Sequence, residues 1–226
     1  MKATILLPLF LTIVVLSLIN HHTKWIVEVE AITIPAKPDG FVHGNPKKYN
    51  PERILIEAFF DPLCSDTRDS WPPLKHALQY YGSNVSLIVH TFPLPYHSNA
   101  FTASRAIHIV NELNSSATFP LWESFFKHQE KFLETSNLTQ TEIVDLIAKF
   151  ATKSVGHAHY SAVKSGLLDT KFDLKTRVSF KYASSRGVFG TPSFFLNGFP
   201  LPDGESPIKY NEWRKTIDPL IHSKGE

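Results

Sequence analysis

The chain has one cysteine, Cys64, and the residues around it suit sulfur chemistry. A thiol reacts as its thiolate, which a helix N-terminus favours through unpaired backbone N–H groups and the helix dipole. Ser65, Asp66 and Thr67 follow the cysteine and belong to residue types that start helices, and Leu74, Ala77, Leu78 and Tyr81 then recur at helical spacing. Charge pulls the other way. A helix N-terminus contributes about 0.3 to 1 kcal/mol, whereas one carboxylate at about 7 Å opposes it by roughly 0.6 kcal/mol in water-like screening, or about 2.4 at an effective dielectric of 20. Asp61, Asp66 and Asp69 can all act this way, with Arg68 as partial relief, so the expectation is a weakly acidified thiol.

An unpaired cysteine cannot staple the fold; it is a free thiol, a mixed disulfide with an outside thiol, an intermolecular bridge, or idle. His76, His90 and His97 are the histidines whose type suits a base for it. The pair His157-x-His159 has no accompanying cysteine or carboxylate pattern, reads as a loop pair, and gives no reason to expect a metal site. No phosphate loop, serine-hydrolase elbow or spaced carboxylate pair is present.

The elements that must position Cys64 are legible on both sides of it. Ile54, Leu55, Ile56, Ala58, Phe59 and Phe60 form the near-continuous apolar run of a strand buried on both faces. Trp71-Pro72-Pro73 is expected to kink the following helix or break it in two, because neither proline donates a backbone hydrogen bond. Val85 to Phe92 reads as a second strand, after an extended lead-in over 32–52 with a short edge strand near Phe41-Val42. From about 97 to 186 the period is helical, clearest at Ile143, Leu146, Ile147 and Phe150, which implies a packed helical insertion. Strand character returns over Val188 to Leu196; Asn197-Gly198 is a two-residue hairpin signal leading to Phe199 and Leu201, and a last helix is expected from about Ser206 to His222.

The totals narrow the class. With 226 residues, 17 Phe and 4 Trp the chain can bury a sizeable core, and its +2 charge is spread without a basic run, so nucleic-acid binding is not expected. Met1 and Lys2 precede an apolar stretch from Ala3 to Ile19, and Val29-Glu30-Ala31 offers a small-residue cleavage pattern. Residues 1–31 are therefore read as a signal peptide, with an uncleaved signal anchor as the alternative and no membrane association after cleavage. The sequons at Asn84, Asn114 and Asn137 are the expected glycosylation sites, and the ending Ser223-Lys224-Gly225-Glu226 is not a retention signal, so secretion is the expected destination.

A buried strand ending in Phe59-Phe60-Asp61-Pro62-Leu63-Cys64, followed downstream by Gly190-Thr191-Pro192-Ser193-Phe194-Phe195-Leu196-Asn197-Gly198, resembles the thioredoxin superfamily and, within it, the DsbA-like branch. The resemblance implies an α/β thioredoxin-like fold whose core, 53–96 and 187–226, is interrupted by the helical insertion over 97–186. It implies a cis Pro192 facing Cys64 and a Thr191 backbone that pairs with an extended peptide or protein substrate. Thr67 stands where the family's oxidoreductases carry the second cysteine of Cys-x-x-Cys, which makes it part of the substrate-facing set and excludes dithiol oxidase chemistry. A mixed disulfide on Cys64 could then be released only by an outside thiol such as glutathione, a co-substrate rather than a required cofactor. The acidic residue that many relatives bury six positions before the cysteine corresponds to Ala58, and Glu57 should face the other side of the strand. Three readings follow: a monothiol, glutathione-linked thiol–disulfide oxidoreductase at Cys64, a non-catalytic peptide- or protein-binding module, or a glutathione-dependent isomerase or transferase.

Overall fold

The computed structural model describes residues 35–44, 53–202 and 206–222. The expected signal peptide and its cleavage pattern lie outside the described residues. The described residues from 37 onward form one compact unit.

Among the described residues five strands form one sheet in the order β1-β3-β2-β4-β5: β1 is Phe41–Val42, β2 Ile54–Phe60, β3 Val85–Thr91, β4 Ser193–Leu196 and β5 Phe199–Pro200. β2 and β3 run parallel, and the other pairings are antiparallel. A parallel pair needs a crossover, which is α1, Ser65–Tyr81. Between β3 and β4 the chain builds the helical block: α2 Ala100–Leu113, α3 Thr118–Lys127, α4 Glu130–Leu133, α5 Gln140–Val155, α6 Tyr160–Gly166 and α7 Thr170–Ser185. α8, Tyr210–His222, closes the described chain. This is the thioredoxin-like α/β architecture with its helical insertion.

Alternation along β2 sorts the core. Ile54, Ile56, Ala58 and Phe60 enter the main apolar cluster with Leu74 and Ala77 of α1, Trp122 of α3 and Trp213 of α8. Phe59 enters a second, smaller cluster with Phe92, Ala183 of α7, Phe195 and Cys64. The cysteine thus sits on the α7 side of the sheet's end, in apolar surroundings.

Three expectations are corrected. α1 is continuous through Pro72 and Pro73 rather than broken in two. Burial on both sides of the prolines, by Thr67, Ser70 and Trp71 before and Leu74, Ala77 and Tyr81 after, holds one helical line although two N–H donors are missing. The last helix begins at Tyr210, not near Ser206. Its entry carries Lys209, whose N–H donates to the Glu212 carboxylate at 2.9 Å, so the charge there sits at the true helix start. The strand expected from Val188 is shorter too, because Val188 to Pro192 form a loop and pairing starts at Ser193.

The lead-in is fixed to the sheet at Asp39-Gly40. Gly40 has φ +101, and a Cβ there would lie 2.9 Å from His90 Nδ1 and closer still to Ile88 Cγ2. Gly40→Ala is therefore expected to destabilise by about 2 kcal/mol or more, read as a lowered urea midpoint with unchanged slope.

Candidate functional site

Cys64 is the N-cap of α1, with φ −80° and ψ 127°, and is 5% exposed. Its side chain does not cap the helix. Sγ donates instead to the carbonyl oxygen of Thr191 at 3.2 Å. The Thr191–Pro192 peptide bond is cis, and the Sγ contact sets the loop before β4 directly against the thiol. Thr67, on the first turn of α1, is fully buried, and its Oγ1 and that of Thr191 have no hydrogen-bond partner among the described residues. The fold thus brings the Thr191 backbone, 127 positions away, against the thiol, while neither hydroxyl bonds to Sγ.

The loop that presents Cys64 is held from beneath. Asp61 is fully buried and accepts from the backbone N–H groups of Leu63 at 2.7 Å and Leu94 at 2.8 Å, and from His97 Nδ1 at 2.8 Å. Sequence reasoning placed Asp61 among the charges opposing a thiolate; its acceptor capacity is spent bracketing two loops, with His97 as its counter-group. Gln129, between α3 and α4, donates through Nε2 to the carbonyls of Cys64 at 2.7 Å and Pro62 at 3.2 Å. Nothing in the sequence pointed to Gln129 beyond its being a polar residue among the insertion's aromatics. Arg68 gives little relief to the thiol, because its Nε is engaged by Asp69 at 2.8 Å.

The three histidines part company. His97 belongs to the Cys64 loop through Asp61, while His76 stacks on Tyr210 with ring centroids 4.0 Å apart, on the α1–α8 side. His90 lies under Phe59, stacked at 4.8 Å, and is 2% exposed. Its Nδ1 donates to Asp39 Oδ2 at 2.8 Å and its Nε2 faces Glu57 Oε1 at 3.6 Å, an ion-pair distance too long for a hydrogen bond. Glu57 faces α7, opposite Ala58, and accepts from Tyr182 Oη at 2.8 Å; Arg186 lies 3.5 Å from it. Asp39 also accepts from Ser179 Oγ at 2.6 Å. Burial alone would lower the His90 pKa, but the hydrogen bond to Asp39 and the facing Glu57 carboxylate outweigh it and raise it. Glu57 is held below the usual range first by His90 and then by Tyr182, against its own burial, and burial and Glu57 push Tyr182 up to about 12. This buried network was missed because its members, Asp39, Glu57, His90 and Tyr182, are scattered along the chain.

Two exposed aromatics lie on the loops that meet at the thiol. Tyr96, 72% exposed, packs edge-on against His97 with ring centroids 4.9 Å apart, the histidine that bonds Asp61. Phe189, 77% exposed, lies in the loop leading to Thr191. Asn84, Asn114 and Asn137 are all exposed at element ends. His157 and His159 form an exposed turn, and among the described residues no group of His, Cys, Asp and Glu is placed to hold a metal.

A family model described as Thioredoxin matches residues 42–219. The chain belongs to the thioredoxin family. Solved structures similar to this thioredoxin-family chain include DsbA of Chlamydia trachomatis, at 16% identity and TM-score 0.64, covering 85% of this chain and 99% of that one. BdbD of Bacillus subtilis is similar at 16% identity and TM-score 0.61, covering 82% and 100%. The thiol–disulfide exchange protein α-DsbA2 of Wolbachia pipientis is similar at 15% identity and TM-score 0.59, covering 90% and 94%. No curated protein matches the chain. The thioredoxin-family chain therefore shares the DsbA-like fold while carrying Thr67 in place of a second cysteine. No helix among its described residues is long and apolar enough to cross a membrane.

Proposed function

We propose that this chain is a secretory-pathway thiol–disulfide exchange protein that works with one thiol. The observation that carries the reading is the placement of the sole cysteine at the start of α1, 3.2 Å from the Thr191 carbonyl and beside the cis Pro192. An extended peptide pairs with the Thr191 backbone and presents its cysteine, carried as a mixed disulfide with glutathione, to Sγ. The Cys64 thiolate attacks the glutathione sulfur, the peptide–glutathione S–S bond breaks, and the peptide leaves as a thiolate that takes a proton. A second glutathione thiolate then attacks the mixed disulfide, releasing oxidised glutathione and restoring Cys64. The Ala3–Ile19 stretch and the exposed Asn84, Asn114 and Asn137 support entry into the secretory pathway and glycosylation there.

The test is turnover of a glutathionylated peptide by added glutathione. Cys64→Ser is expected to lower the rate by about 100-fold or more, since no other thiol exists in the chain. Full turnover in that variant refutes the reading. Intact mass of the secreted protein before and after enzymatic deglycosylation checks location and the three sequons together.

A second reading is favoured by one specific feature: Cys64 is buried, and its Sγ–H is already engaged as a donor to the Thr191 carbonyl. On that reading the groove is a peptide-binding module without turnover. Peptide binding that persists in Cys64→Ser and is lost in Pro192→Ala, with no exchange activity, distinguishes it.

A further inference from the structure

A cavity of about 480 Å³ lies between the loop after β3 and helix α7. Its volume falls in the range of small-molecule sites. Its floor and walls are apolar, from Leu94, Pro95, Phe101 and Phe180, and its α7 rim carries Arg177 and Lys181. The walls are fixed before any ligand arrives. Leu94 is held by its N–H to Asp61 at 2.8 Å, and α7 is tied to the lead-in by Ser179 to Asp39 at 2.6 Å and to β2 by Tyr182 to Glu57 at 2.8 Å. Phe180 is stacked on Phe92 at 4.7 Å and nearly parallel.

The charge about the cavity is positive. Asp173 pairs with both Arg105 and Arg177, so one carboxylate answers two guanidinium groups, and Lys181 adds a third cation on an exposed turn. Arg105 also lies 5.3 Å over the Phe101 ring. An apolar slot with a cationic lip matches one kind of small ligand: an apolar body ending in an anion. A neutral apolar ligand leaves the lip unused, and a cation is repelled by it.

We propose that this cavity binds a small amphipathic carboxylate, its body between Leu94, Phe101 and Phe180 and its carboxylate on Lys181 and Arg177. The site is distinct from the Thr191–Pro192 groove but shares a wall with the thiol, because Leu94 and Phe180 belong to or pack on the apolar cluster that contains Cys64. Filling the cavity therefore braces the layer behind the cysteine.

The probe is sodium decanoate, titrated into the purified protein by calorimetry, with decyltrimethylammonium as the charge-reversed control. Saturable binding of decanoate and none of the cation is expected. Lys181→Glu, on an exposed helix face, is expected to weaken binding by about tenfold or more, the scale of one charge-assisted contact. Ser98→Trp, which fills the mouth, is expected to abolish it. Binding is expected to stay at the wild-type level in Cys64→Ser and Pro192→Ala, which separates this site from the exchange groove. The proposal is overturned by absence of saturation, by equal binding of the cation, by indifference to both cavity variants, or by loss of binding in the Cys64 or Pro192 variant. Capture of a phenylalanine peptide flanked by Asp and Glu, without decanoate binding, overturns it as well.

Discussion

Thr67→Cys is expected to give this chain an internal disulfide and the power to release its own mixed disulfides. Position 67 is fully buried on the first turn of α1, three residues after the N-cap cysteine. Residues so spaced fall within roughly the 4.4–6.8 Å Cα separation that a disulfide spans. The substitution is mild for the fold: the lost hydroxyl has no partner among the described residues, and a buried cysteine packs as a small hydrophobe. With oxidised glutathione, the two thiols give one disulfide and two reduced glutathione molecules, a loss of two hydrogens visible in the intact mass. A glutathione adduct on Cys64 would then be expelled from within, and well-oriented internal groups reach effective concentrations far above those of an outside thiol, so release should accelerate by about 100-fold or more over that driven by about 1 mM glutathione. A variant that keeps two alkylatable thiols after oxidation, or holds its adduct until glutathione is added, would show that the Cys64 loop cannot reach the first turn of the helix.

Elements whose reasons are local were legible in the sequence. The apolar run of β2 was unmistakable, and Asn197-Gly198 forms the hairpin turn that its residue types demand, with φ of 49° and 85°. Of the stripe Ile143, Leu146, Ile147 and Phe150 on α5, Ile143, Ile147 and Phe150 lie buried as the spacing required, and Leu146 is partly buried against the same core. The juxtaposition of Cys64 with Thr191 was legible only through the resemblance, since 127 positions separate them. What the sequence hid is polar. Gln129, Asp39 and Tyr182 bond to partners dozens of positions away, and a hydrogen bond between distant residues leaves no periodicity to read. The prolines of α1 misled for the opposite reason: a local rule was clear, and long-range burial of Trp71 and Leu74 overrode it.

Stability is expected to peak near pH 6.5 and to fall on both sides for different reasons. His108 of α2 is buried against Phe41, with its Nε2 facing Thr91 Oγ1 at 3.2 Å and Ser179 Oγ at 3.4 Å. Burial, with Lys175 adding to it and Asp39 opposing, lowers its pKa from 6.5 to about 4. A histidine depressed on folding stabilises above its unfolded value and loses that contribution as pH falls toward its folded one; this drop corresponds to roughly 3 kcal/mol. His43, lowered first by its burial and then by Lys75, works in the same direction. His90 has the opposite sign. Its pKa is raised, so its contribution is complete below 6.5 and is lost as pH rises through its folded value. Asp39 and Glu57, both lowered, contribute above their unfolded values of 3.8 and 4.5 and steepen the loss only at lower pH. Urea midpoints from pH 4.5 to 9 would therefore trace a dome. His108→Gln, which can keep a hydrogen bond to Thr91 without a titrating ring, should flatten the acid limb and leave the alkaline one. His90→Gln should flatten the alkaline limb while lowering the whole curve, because Asp39 and Glu57 then lose the cation between them. An acid limb that survives His108→Gln would move the cause to the carboxylates, and an alkaline limb that survives His90→Gln would mean that His90 is not the proton holding the lead-in, β2 and α7 together.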